Sequence, residues 1–96
     1  MEGLTITRHE DGKRGEYRAH VPGSEETGKL TWVEQNGARL ADHTLVPRAL
    51  EGKGIAAQLV ARMVADARSE GFKIRPACSY VVAAFQRHPD WADVQA

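Results

Sequence analysis

Val46-Pro47-Arg48-Ala49-Leu50-Glu51-Gly52-Lys53-Gly54-Ile55-Ala56 is the stretch on which the reading of this chain turns. An apolar run passes through a proline into two glycines one residue apart, and an amphipathic helical pattern starts at once. Glycine lacks a Cβ, so the chain can turn tightly there and a ligand can approach the backbone closely. The first amides of the helix that follows have no intrahelical partners and point at whatever lies before them. Those donors and the positive end of the helix dipole favour an anion, typically a phosphate. The stretch is a candidate phosphate cradle.

Upstream of it the pattern is that of strands. Leu4, Ile6 and His9 fall in a short first strand, followed by the polar turn Asp11-Gly12-Lys13-Arg14-Gly15. In Glu16-Tyr17-Arg18-Ala19-His20-Val21 the residues Tyr17, Ala19 and Val21 alternate with polar ones, which indicates a half-buried strand. Pro22-Gly23-Ser24 breaks it. Leu30 and Trp32 share one face of a third strand, and Thr31 and Val33 the other. Asn36-Gly37 is a strong hairpin signal, and the return strand runs from Ala38 to Val46.

Downstream the period changes. Ile55, Leu59, Met63 and Ala67 recur at four-residue steps, with Val60 and Val64 widening one apolar helical face. Arg62, Asp66, Arg68 and Glu70 have the placement of its solvated face. Gly71 stands where a helix-ending glycine is expected. Phe72–Ala77 reads as a short strand, and Ser79 caps a second helix that Pro89 ends. Trp91 is the one bulky anchor of the tail. The fold class is α+β (mixed α/β): an antiparallel meander followed by strand–helix–strand–helix.

The 96 residues carry 13 Lys+Arg against 13 Asp+Glu, so the broad basic footprint of a nucleic-acid binder is missing. One domain spanning 1–96 is expected at this length. No apolar run approaches the ~20 residues that span a bilayer. Cys78 alone makes no internal disulfide, which fits a reducing, cytoplasmic setting. Histidines at helical ligand spacing and a Cys-rich zinc set are both missing, so no metal is implied. Membrane and nucleic acid are not expected as partners; the exposed edges of so small a sheet allow a monomer or weak homodimer.

Three phosphate motifs compete for the glycine pair. The Walker pattern fails, because no Gly-Lys-Ser/Thr occurs. Gly52, Gly54 and Ala57 match the dinucleotide fingerprint, but a meander precedes them and the next strand ends in Ala77-Cys78-Ser79 without a carboxylate. The third match is by resemblance. His43-Thr44-Leu45-Val46-Pro47, Glu51-Gly52-Lys53-Gly54-Ile55-Ala56 and Leu59-Val60 resemble the acetyl-CoA-binding motif of the GNAT N-acetyltransferases. Asp42-His43-Thr44, Pro76-Ala77-Cys78-Ser79-Tyr80-Val81 and His88-Pro89-Asp90-Trp91 look like its small single-domain YjdJ-type branch. The resemblance covers most of the chain from about Tyr17 onward. It implies a minimal acyl-CoA N-acyltransferase fold that takes acetyl-CoA as cofactor and a small-molecule or protein amine as acceptor. It also implies that the loop amides of Glu51, Gly52, Lys53, Gly54, Ile55 and Ala56 hold the CoA pyrophosphate. Leu45 and Val46 would then contact pantetheine. Two positions depart from the pattern: Ala49 replaces the Arg or Gln of the wider motif, and Glu51 occupies a place often basic.

Acetyl transfer to an amine calls for a base, donors at the carbonyl and a proton source. His43 is one candidate base. Strand alternation places it on the face of Ala41 and Leu45, with Asp42, Thr44 and Val46 facing the other way. A buried, backbone-bonded histidine is the alternative. Cys78, between a strand and a helix N-terminus, has the setting that lowers a thiol pKa. It is a candidate acyl carrier or proton relay, against the ordinary fate of a small apolar core residue. The resemblance makes Tyr80 a candidate acid for the leaving thiolate, with core packing as its other reading. His88 suits a helix end, and His9 and His20 the surface. A chain that binds CoA without turnover, as a sensor or interaction module, is the competing class.

Overall fold

The computed structural model describes residues 3–96. The chain forms β1 (Thr5–Glu10), β2 (Arg14–His20), β3 (Thr27–Gln35) and β4 (Ala38–Leu45), then a 3-10 turn (Arg48–Leu50) and α1 (Ile55–Glu70). β5 (Ile74–Pro76), α2 (Ser79–Arg87) and a 3-10 segment (Pro89–Val94) complete it. The strands lie in sequence order in one sheet; β1 to β4 are antiparallel, and β5 runs parallel to β4 across the α1 crossover. This is the predicted meander followed by strand–helix–strand–helix. The second helix is capped one residue earlier than expected, by Cys78 rather than Ser79.

Cross-strand partners share a face of the sheet. Tyr17 lies opposite Leu30, Ala19 opposite Gly28, and Trp32 opposite Ala41, and all of these are buried. Against this face α1 lays Ile55, Leu59, Val60 and Met63. Gly28 lets the helix start sit down on β3, because a Cβ there would come 2.7 Å from Ile55 Cγ2. Val81, Ala84 and Phe85 of α2 enter the same core, which Trp91 closes edge-on to Phe85 at 5.3 Å between ring centroids. The opposite face carries Thr7, Glu16, Arg18, Lys29, Thr31 and His43, none of them buried. Both helices therefore lie on one side, and the other side of the sheet is open.

Two local features depart from the sequence reading. The charges of α1 are more than a solvated face. Asp66 accepts the Tyr17 hydroxyl at 2.8 Å, Arg8 Nη1 at 3.0 Å and Arg62 Nε at 3.2 Å. Arg8 also holds Glu70, so long polar side chains from β1 and β2 clamp the helix to the sheet edge. The second departure is a β-bulge. Thr31 pairs with His43 and the next β3 residue, Trp32, pairs with Ala41, which leaves Asp42 as an extra residue in β4. No helix among the described residues is long and apolar enough to cross a membrane.

Candidate active site

The cradle is open and its donors are free. Gly52 and Gly54 hold φ of +79° and +73°, where L side chains are strained, and nothing lies within 4 Å of where either Cβ would be. The first amide bonded back into the helix is that of Gln58, to Gly54 O at 3.2 Å. Among the described residues the six amides before it, from Gly52 to Ala57, donate to no protein acceptor, and no side chain caps α1. Six consecutive unpaired amides at the start of a 16-residue helix form an anion nest reinforced by the helix dipole. A cleft of about 180 Å³ opens there, lined by Val46, Leu50, Gly52, Gly54, Ala56 and Tyr80 among others. Glu51 also lines it, so one carboxylate stands at its rim. Lys53 is exposed beside the nest.

A slot leads away from the nest along the β5-side edge of β4. β4 and β5 pair only from Arg39 to Ala41, and the Ala41 carbonyl accepts both Ala77 N at 3.1 Å and Cys78 N at 3.0 Å. Beyond that double bond β5 has ended and the chain turns into α2, and among the described residues the β5-side edge of β4 from Asp42 to Leu45 has no strand partner. An unpaired sheet edge is a template for an extended amide-bearing chain.

Cys78 stands at that turn into α2. Its Sγ lies 3.1 Å from Thr44 Oγ1. Burial pushes the thiol up, but the Thr44 hydroxyl and the amides of Val81, Tyr80 and Thr44 outweigh it, and the thiol sits below its ordinary value. The sulfur closes no capping hydrogen bond, so the first amides of α2 act on it as dipoles. Thr44 was not among the residues the sequence singled out. Nothing short of the fold brings residues 34 positions apart into contact.

The bulge corrects the placement of His43. Uninterrupted alternation puts it on the face of Ala41, but the extra residue inverts the pattern. His43 shares a face with Thr31, away from α1, and is exposed. Thr44 instead lies with Leu30 on the helix side, where it meets Cys78. Asp42 turns its carboxylate to Thr31 Oγ1 at 2.6 Å, so Asp42 and His43 flank one residue on the open face, although they are neighbours in sequence. Leu45 is 59% exposed, whereas Val46 faces the nest. Tyr80 is half-buried and joins the nest to a second apolar cleft of about 270 Å³ between α1 and α2. Arg87, His88 and Trp91 border that cleft, with the His88 ring stacked on Trp91 at 4.0 Å.

Unpaired amides at a strand–helix turn thus stand beside a short parallel strand pair. The family model described as GCN5-related N-acetyl-transferase matches residues 16–94. The chain belongs to that family. The matched span takes in β2 through the C-terminal 3-10 segment, and with them the nest, the slot and Cys78. Among solved structures, a GCN5-like protein from Staphylococcus aureus studied by NMR in solution superposes with a TM-score of 0.73 at 24% identity. The match covers 100% of this chain and 91% of that one, and it shows a shared GCN5-like fold. No curated protein sequence matches the chain.

Proposed function

We propose that this GCN5-related chain binds acetyl-CoA and transfers the acetyl group to an amine. The observation that carries the reading is the run of six unpaired amides from Gly52 to Ala57. The amides of Gly52, Lys53, Gly54, Ile55 and Ala56 hold the pyrophosphate, and the free edge of β4 up to Val46 receives the amides of the pantetheine arm. Leu45 contributes backbone alone, since its side chain is turned to solvent. The second cleft, reached past Tyr80, suits the adenosine end, with Arg87 as its cation. Bound there, acetyl-CoA supplies an activated acyl thioester.

The chain's own groups divide the remaining work. Cys78, favoured as thiolate by Thr44 and the start of α2, is the nucleophile best placed to accept an acyl group on sulfur. Tyr80, in the first turn of α2 two residues after Cys78, is the hydroxyl that would protonate a leaving thiolate. His43, on the open face, is a base for an incoming amine rather than a partner of Cys78.

Calorimetry and thermal shift with acetyl-CoA, CoA, NAD and ATP test the binding step. Ligand at 100 times its Kd adds about 2.7 kcal/mol. For a domain of this size that is a rise in Tm on the order of 10 °C. Acetyl-CoA and CoA are expected to give it, and NAD and ATP not. A flat response to millimolar acetyl-CoA would overturn the reading. Binding without acetyl transfer to any amine in a panel would make the chain a CoA sensor.

A further inference from the structure

We infer that the acceptor enters from the open face of the sheet and is a mono-ammonium compound held by Asp42. The inference rests on the acetyl-transfer reading, because it concerns the second substrate of the same slot.

Geometry chooses the face. The free edge of β4 begins where Ala41 O binds the amides of Ala77 and Cys78, so the acyl end of a thioester laid along that edge would lie beside Ala41 and Asp42. From the helix side that point is closed by Thr44, Cys78 and the core beneath α1. From the other side no described element covers it. There the sheet carries a cleft of about 450 Å³ that includes His9, Glu16, Thr31 and Asp42, one residue from each of the four antiparallel strands. His9 lies opposite Glu16, Glu16 opposite Thr31, and Thr31 beside the bulge. The bulge thus separates two functions that alternation would have mixed, turning Thr44 toward the sulfur and Asp42 toward solvent.

Charge chooses the chemistry. Of the carboxylates around this cleft, Glu16 is engaged by Arg18, Glu10 by Arg8, and Asp11 by the amides of Lys13 and Arg14. Asp42 is different. Thr31 fixes Oδ1, and among the described residues Oδ2 has no partner and the side chain no cation. A half-buried carboxylate held in orientation and left without a counter-ion is a receptor for one ammonium group. The flanking residues limit the charge to one. Lys29 and Arg18 lie one row away on β3 and β2, and Arg14 lines the far side of the cleft, so a second positive charge on the acceptor meets like charges. Neighbouring His43 is one imidazole on this face able to take the proton that the ammonium must lose before its nitrogen attacks, and His9 in the cleft wall is another.

The test is an amide-resolved NMR titration of the CoA-loaded protein with three probes that share a four-carbon chain: n-butylamine, 1,4-diaminobutane and n-butanol. Butylamine is expected to shift Thr31, Ala41, Asp42 and His43 and to saturate. The diamine should bind several-fold more weakly, and the alcohol should leave those amides unmoved. Asp42→Asn keeps an oxygen for the Thr31 hydroxyl and is expected to weaken butylamine at least about tenfold while leaving the shifts caused by CoA at residues 52–57 intact. Equal response to alcohol and amine, tighter binding of the diamine, or undiminished amine binding in Asp42→Asn would overturn the proposal. Failure of CoA itself to shift residues 52–57 would overturn the parent reading instead.

Discussion

At the scale of single residues, the site depends on one backbone event, the extra residue Asp42 in β4. A bulge has no side-chain signature, so Ala41, Asp42, His43 and Thr44 read as plain alternation and His43 is assigned to the wrong face. The position of Cys78 before a helix was legible, because the helical period of Tyr80 to Phe85 and the preceding short strand are local patterns. Its contact with Thr44 was not, since it needs both the crossover and the bulge. That contact makes a measurable claim. Burial opposes the thiolate, and Thr44 first and then the α2 amides reverse the balance. The pH profile of Cys78 alkylation by iodoacetamide should therefore have its midpoint below that of an ordinary cysteine. Thr44→Val removes the hydroxyl and keeps the shape, so the midpoint should rise while the fold is retained. An unchanged midpoint in that variant would show that the hydroxyl does not hold the sulfur.

At the scale of elements, the start of α1 is where sequence and structure agree most closely. Two glycines before a four-residue apolar period predicted a turn and a helix N-terminus, and the helix begins at Ile55 with Gly54 as its cap. What no local pattern could reveal is that nothing else in the fold consumes those amides. Gly54→Ala separates helix stability from ligand affinity. At φ +73° an alanine costs about 1–2 kcal/mol. That corresponds to a fall in Tm on the order of 4–15 °C. The added methyl also changes the wall of the nest, so the Tm rise caused by CoA should shrink as well. Gly12→Ala is the matching control, because Gly12 has φ +94° and open space in the β1–β2 turn, far from the nest. It should lower Tm similarly and keep the full ligand-induced rise. If both variants respond alike to CoA, the nest is not the binding element.

At the scale of the whole molecule, polar groups do much of the joining between the helical layer and the sheet, and this sets how stability varies with pH. The sequence placed Asp66 and Glu70 on a solvated helix face because periodicity reports one element at a time. Reaching side chains such as Arg8 become visible only when two elements meet. Arg8 holds the Glu70 carboxyl below its usual range, Arg18 does the same for Glu16, and Arg68 for Asp93. A carboxylate whose pKa is depressed by folding stabilises the fold fully above its unfolded value and loses that contribution as pH falls through the folded one. Tyr17 behaves in the opposite sense. Burial first, then Asp66, raises its hydroxyl well above the ordinary tyrosine value, so its contribution is complete below about pH 10 and is lost as pH climbs beyond it. The urea midpoint should therefore be flat from about pH 5 to 7, decline below about pH 4 and decline again above about pH 10. Tyr17→Phe should flatten the alkaline limb and leave the acid limb, because Arg8 and Arg62 still satisfy Asp66. Arg8→Gln should do the reverse, removing the share of the acid limb that belongs to Glu70. Urea titrations of the three proteins across that range decide it: an alkaline limb that survives in Tyr17→Phe would mean that the Tyr17–Asp66 bond does not join helix to sheet.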